Sequence, residues 1–226
     1  GMTWSGFRPS DDRCIYGYLI PSQIMAVKAM EYAEEILRTV YQEEESAGKC
    51  RKLAREIEDG IKRYGITELP PFGKIYAYET DGLGNYVFMD DANCPSLLSL
   101  PYLGYCTAED EVYKNTRAYI LSEENPCYFS GSVIKGVGSP HTKKGNVWPI
   151  GIIMQALTSC DAEEIKECID MLLASHAGTD YMHESINADD PEDYTRSWFA
   201  WANSLFAELL IRVKELGIYD AGGKGQ

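Results

Sequence analysis

The 226-residue sequence predicts a mainly α-helical fold, part of an α/α toroid with two concentric helical layers, together with a small β-hairpin. Two observations carry this. The segment 149–159 is apolar on nearly every side, whereas 161–176 has one apolar stripe through Ile165, Cys168 or Ile169, and Leu172; an enclosed helix followed by a one-faced one fits an inner layer wrapped by an outer layer. The segment 195–216 carries Trp198, Phe199, Trp201, Ala202, Leu205, Phe206, Leu209, Leu210 and Val213, a stripe too wide for a surface helix. In such a toroid, polar loops at one end of the inner helices build the active site. The hydrophobic content of 45% suits one ordinary globular core, so residues 1–226 are expected to form a single domain with a disordered Gly-rich tail at 221–226.

Gly1-Met2 reads as a cloning remnant ahead of a start methionine. The stretch MTWSGFRPSDDR is too dense in Trp, Arg and paired Asp to be a loose leader. Ser22, after Pro21, fits the N-cap of a helix over 22–42, whose buried stripe would be Met25, Ala29, Tyr32 or Ala33, Ile36 and Val40. A more exposed helix over 46–63 places Leu53, Ile57 and Ile61 on one face. Pro70-Pro71, the alternation in KIYAYETDGLGNYVF and the Asp81-Gly82 turn signal predict a hairpin over 73–89. MDDANCPSLLSLPYLGY reads as a polar loop and a short apolar helix, followed by a helix over 108–122. From 125 to 149 the spacing of Pro, Gly and Ser forbids long regular structure, while Tyr128, Phe129, His141 and Trp148 argue for an ordered, functional loop.

A net charge of −14 with no compensating basic run excludes nucleic acid and anionic membrane surfaces as partners. No apolar run approaches the roughly 20 residues needed to span a bilayer, so the chain is expected to be soluble. Seven scattered cysteines without CxxC pairs read as free thiols, small buried hydrophobes, which favours a cytoplasmic setting. Three histidines without HxxxH or HExxH spacing argue against a metal site.

Four stretches gather carboxylates, amides and aromatics at helix ends: Arg8 to Asp12, Asp90 to Asn93, His141 to Trp148, and His183 to Asn187. Paired carboxylates beside aromatic platforms are the recurrent chemistry of glycoside hydrolysis. Each stretch also has a plain structural account. Asp11 and Asp12 fit N-capping, Asp90 and Asp91 fit caps of the short helix after Pro95, His141 fits a surface histidine and Glu184 an exposed carboxylate. Asp189, Asp190, Glu192 and Asp193 fit an acidic cluster at the start of the last helix, where the helix dipole favours them. Glu184 stands at the head of the segment 181–211, which runs from polar groups into the aromatic-rich helix.

Taken together, WSGFRPSDD with YGYLIPS, FMDDANCPSLLSLPYLGY, GVGSPHTKKGNVWPIGIIMQALTS and MHESINADDPEDYTRSWFAWANSLFAELL are similar, in order, to glycoside hydrolase family 125. The resemblance implies an (α/α)6 barrel and an exo-acting α-1,6-mannosidase that inverts the anomeric centre without metal or cofactor. Its partner would be a mannose-containing oligosaccharide, from which it removes terminal mannose, N-glycan fragments included. It implies Glu184 as general base and Asp11 as general acid, with Asp12 the alternative. Arg8, Asp12, Asp90, Asp91, Asn93, His141, Trp148, His183 and Arg196 would bind sugar. Tyr128, Trp148 and Trp198 offer stacking surface, although Trp198 fits the helix core better. An inverting enzyme holds its carboxyl groups about 6.5 to 9.5 Å apart, and its acid is kept protonated by burial or by a neighbouring carboxylate such as Asp12.

The resemblance also implies that this chain corresponds to roughly the C-terminal half of a typical member. Its open inner faces are then expected to self-associate or to be completed by the missing half, with which a secretory signal could have been lost. Two other readings compete: a catalytically inactive carbohydrate-binding remnant, and a different toroid sugar enzyme such as an epimerase, whose histidine pair would be His141 and His183.

Overall fold

The computed structural model describes residues 1–218, so the tail at 221–226 lies outside the described residues. The chain forms two compact units, Gly1–Asp90 with Cys94–Pro126, and Asp91–Asn93 with the chain from Cys127 onward. Six α-helices dominate the described residues, accompanied by short strands.

In the N-terminal unit, strand β1 (Tyr18–Leu19) runs into α1 (Ile20–Ile36), which continues as a π-helical turn over Leu37–Tyr41. The chain reverses at Gln42, in the left-handed region with φ 57°, and enters α2 (Glu44–Gly60). The helix expected over 22–42 thus starts two residues early. Leu19, not Ser22, is the N-cap, and Pro21 sits in the first turn, where a missing N–H is tolerated. The buried face differs too. Ile20, Gln23, Ile24 and Val27 are buried and α1 packs on α2, while Met25, Tyr32, Ile36 and Val40 of the expected stripe are exposed. Both faces are apolar, so periodicity alone could not choose between them. On α2 and the π-helical turn after it, Ile57 and Ile61 point inward as expected, joined by Ala47 and Ala54, but Leu53 is exposed.

Strand β2 (Ile66–Leu69) pairs antiparallel with β3 (Gly73–Tyr76), and β4 (Glu79–Thr80) lies between β1 and β5 (Tyr86–Val87). The single hairpin expected over 73–89 is therefore two structures. Its first strand pairs upstream with β2, and only the part around Asp81 closes on itself, where Asp81 Oδ1 accepts N–H bonds from Leu83 at 2.8 Å and Asn85 at 3.1 Å. The short helix expected after Pro95 is instead a series of buried turns. Helix α3 (Glu111–Ile120), capped by Asp110 through the Tyr113 N–H, is tied to β3 where Thr116 Oγ1 accepts the Tyr76 N–H at 2.9 Å.

In the second unit, β6 (Tyr128–Ser130) pairs with β7 (Lys135–Val137), and β8 (Asn146–Val147), β9 (Ser185–Asn187) and β10 (Tyr194–Thr195) form a sheet in the order β10-β9-β8. Helix α4 (Pro149–Leu157) is buried along nearly its whole length and packs on both α5 (Ala162–Ala174) and α6 (Ala200–Glu215). The enclosed α4 beside the one-faced α5 is as the sequence predicts, with Ile165, Cys168, Ile169 and Leu172 buried on α5. A β-carbon on Gly151 would stand 2.9 Å from the Val137 carbonyl oxygen, so α4 approaches β7 at a distance only glycine permits. Helix α6 begins later than the expected 195 and leaves Trp198 outside it and exposed, not in the core. Its buried stripe is the narrow set Ala202, Leu205, Leu209 and Val213, with Leu210 and Ile211 exposed. Among the described residues no helix is long and apolar enough to cross a membrane.

Candidate active site

The loop that carries Asp11 belongs to the N-terminal unit and is built like a small clasp. Phe7 and Arg13 form an antiparallel bridge, the Arg8 N–H donates to Asp12 O at 2.8 Å, and the Asp11 N–H donates to Arg8 O at 3.0 Å. This tight reversal puts Asp11 in the left-handed region, φ 68°, a conformation that is uncommon for a non-glycine residue. Asp11 is exposed, and its carboxylate makes no hydrogen bond among the described residues. Asp12 is less exposed and accepts from Ser10 Oγ at 2.8 Å. The clasp therefore presents Asp11 outward and turns Asp12 back on itself.

Arg8 is buried, with its Nε 2.7 Å from Glu79 Oε1 and its guanidinium over the Tyr78 ring. Glu79 is fully buried, and its other oxygen accepts the N–H groups of Ile15 at 2.7 Å and Tyr16 at 2.8 Å. Glu79 thus fixes the clasp at both ends. Sequence reasoning missed it, because a charged residue inside a short strand signals nothing until its partner is known. Asp90 is also occupied structurally. Its two oxygens accept from the Leu97 N–H at 2.8 Å and the Leu98 N–H at 3.0 Å, which pins the buried turns that replace the expected helix.

The remaining expected site residues lie in the second unit. Asp91 and Asn93 are buried, with Asn93 Nδ2 donating to Asp91 Oδ1 at 2.6 Å. Glu184, only 7% exposed, precedes β9 directly, and its Oε1 stands 3.0 Å from Arg196 Nε. The chain is buried continuously from Met182 to Ile186, with His183 and Ser185 fully enclosed on either side of Glu184. The His183 ring stacks on Tyr194 with centroids 3.9 Å apart and planes 8° from parallel, and its Nδ1 lies 3.1 Å from Arg196 O. Arg196 itself is left-handed, φ 50°, and its guanidinium lies over Phe199. His183 Nε2 and Asn146 Oδ1 are buried without a hydrogen-bond partner. A buried polar atom left unpaired costs about 1–3 kcal/mol, so both positions are costly ones in a packed interior. Asn146 donates through Nδ2 to Ser185 Oγ at 3.0 Å.

His141 is exposed at the edge of Trp148, centroids 6.2 Å apart. Trp148 is almost fully enclosed, with its Nε1 donating to Thr142 Oγ1 at 2.8 Å and Phe199 against its other side. Tyr128 is partly exposed on β6. The acidic residues expected at the start of the last helix instead occupy the turn between β9 and β10. Asp189 Oδ1 accepts the Ser132 N–H at 2.7 Å, and Asp193 Oδ2 binds Lys143 Nζ at 2.6 Å and Asn187 Nδ2 at 3.1 Å. Lys143 first, and Asn187 second, hold the Asp193 carboxyl below the usual aspartate range. Among the described residues no group of three His, Cys, Asp or Glu side chains is placed to hold a metal ion.

A family model described as metal-independent alpha-mannosidase (GH125) matches residues 1–211. The chain is 49% identical over 212 residues to the Meiotically up-regulated gene 157 protein of Schizosaccharomyces pombe, covering 93% of this chain and 42% of that protein. A solved structure of a Streptococcus pneumoniae metal-independent alpha mannosidase, in a non-productive substrate complex with alpha-1,6-mannobiose, is 47% identical with a TM-score of 0.93, over 95% of this chain and 51% of that one. A bacterial glucoamylase complexed with acarbose is 17% identical with a TM-score of 0.67, over 88% of this chain and 34% of that one, and shows the fold alone. Both are (α/α)6 barrel folds, the class to which these helices belong. The chain spans about half the length, or less, of the relatives it matches.

Proposed function

The chain belongs to glycoside hydrolase family 125, the metal-independent alpha-mannosidases, and from that premise we propose that it carries the acid and the base of an inverting, exo-acting α-1,6-mannosidase. The observation that supports this most is the Glu184 carboxylate, nearly buried and gripped by Arg196 beside a fixed histidine. An acceptor held in one orientation is what a general base requires. In the proposed reaction Glu184 takes a proton from water as the water oxygen bonds to C1 of the terminal mannose. Asp11 gives its proton to the glycosidic oxygen as the C1–O bond breaks, so an α-mannoside releases β-mannose and a shortened glycan. Asp12, engaged with Ser10, is the poorer candidate for the acid. Asp91, Asn93, His183 and Arg196 are proposed sugar contacts, of which Arg196 is exposed and the other three are buried, while Arg8 and Asp90 act by holding loops.

One observation favours the second reading, an inactive carbohydrate-binding remnant: Asp11 is exposed and its carboxylate makes no hydrogen bond among the described residues, so nothing described fixes its direction. The deciding experiment is incubation of the purified chain with α-1,6-mannobiose, following the released anomer by NMR with Glu184→Gln in parallel. β-Mannose that disappears in the variant supports the enzyme. Saturable binding without release supports the remnant.

A further inference from the structure

Within the N-terminal unit a cavity of about 430 Å3 is lined by Trp4, Phe7, Arg13, Cys14, Ile15 and Gly17, among others. It flanks the clasp that carries Asp11, because Phe7 and Arg13 are the two sides of the bridge that closes it. Its largest aromatic is 76% exposed, yet Trp4 is not loose. A β-carbon on Gly17 would stand 2.2 Å from the indole Cδ1 and Nε1, and one on Gly6 would stand 3.1 Å from Cη2. The indole therefore rests on two glycines. The backbone on either side is anchored, by Ser5 N–H to Gly17 O at 2.8 Å and by Thr3 N–H to Gln23 Oε1 at 2.8 Å, with Gln23 Nε2 returning to Thr3 O at 2.6 Å.

We propose that Trp4 is a stacking platform for the sugar on the leaving-group side of the scissile bond, with Arg13 at its rim to bind hydroxyls. This rests on the proposed function: the acid must reach the glycosidic oxygen, so the departing sugar lies against the acid's own loop. The face of an indole is electron-rich, and the C–H face of a pyranose is its complement. The cavity falls within the roughly 300–1,000 Å3 of small-molecule sites. Arg13 is exposed, makes no ion pair among the described residues, and offers a planar fork of N–H donors. Glycine at position 17 is then a specificity element, since any side chain there would displace the platform.

The test is a titration of the chain, 15N-labelled at tryptophan, with α-1,6-mannobiose and separately with methyl α-mannoside, which lacks the second sugar. The Trp4 indole resonance, assigned by its loss in Trp4→Ala, moves with the disaccharide and much less with the monosaccharide. Trp4→Ala weakens disaccharide binding roughly tenfold, and monosaccharide binding far less. A disaccharide that shifts other tryptophan resonances and leaves Trp4 still overturns the platform while leaving the proposed function intact. A Trp4 resonance that moves with protein concentration and not with sugar overturns it in favour of a second copy at this surface. No response of any resonance to either sugar overturns the proposed function and the platform together.

Discussion

Arg196 Nε stands 3.0 Å from Glu184 Oε1, and the arginine reaches that position from a left-handed backbone, φ 50°. Its carbonyl lies 3.1 Å from Nδ1 of His183, whose ring is stacked on Tyr194. The carboxylate is thus held by Arg196, just beyond β10, whose carbonyl meets the His183 ring just before β9. Such strained conformations persist only where the surroundings over-determine them.

Removing that grip misplaces the base without removing it. Arg196→Ala is expected to lower kcat/KM on α-1,6-mannobiose by roughly a hundredfold, the cost of a displacement of about 1 Å in a reacting group. Circular dichroism should be unchanged, because the Arg196 side chain is 61% exposed. Unaltered kinetics would show that Glu184 needs no partner, or is not the base.

Glu79 is expected to matter more for stability than any acid proposed for catalysis. It is fully buried, paired with Arg8 at 2.7 Å, and accepts two backbone N–H groups of the clasp. Removing one member of a buried ion pair leaves the other uncompensated, which typically costs about 3–5 kcal/mol. Glu79→Ala should shift urea unfolding by that amount, and the variant should also lose order at Asp11. A shift below about 1 kcal/mol would show that water reaches Arg8 and replaces the partner.

What the sequence made legible was what local pattern can encode. The enclosed α4 was readable because its apolar residues fall on every side, whereas the cap of α3 was not, since the helix expected over 108–122 placed Asp110 inside it. The buried face of α1 was not readable, since Met25, Tyr32, Ile36 and Val40 repeat as regularly as Ile20, Ile24 and Val27. Nor was the pairing of β3 with β2, which depends on a partner upstream of the alternating run. Among the candidate site residues, Glu184 and Asp11 were singled out as base and acid through family resemblance alone. Glu79 was not, because its role exists only through contacts with residues more than sixty positions away.

The cysteines make a test that does not depend on activity. All seven are free; Cys160 is exposed, whereas Cys106 is partly buried. Burial chiefly, with the Asp110 carboxylate second, pushes the Cys106 thiol up to about 12. The charged form is the disfavoured one, so at pH 8 Cys106 remains a thiol and is a poor nucleophile. Alkylation with iodoacetamide at pH 8, read by peptide mass spectrometry, should label Cys160 first and Cys106 far more slowly. Equal rates would mean that the segment around Cys106 opens readily.

The exposed face of α1 and the turn that follows it carries the last prediction. Met25, Tyr32, Ile36 and Val40 are spaced seven, four and four residues apart, so they form one continuous apolar stripe, and all four are exposed. A contiguous apolar patch of this kind is unfavourable in water and tends to be covered by another surface. Second copies of the chain are therefore expected to meet through it, and sedimentation velocity should show a mean mass that falls on dilution towards that of the 25.3 kDa monomer. Met25→Lys combined with Ile36→Glu introduces charges that cannot be desolvated cheaply, and should give a monomer at every concentration with unchanged helicity. A wild-type chain that is already monomeric at high concentration would show that this stripe tolerates water and plays no part in assembly.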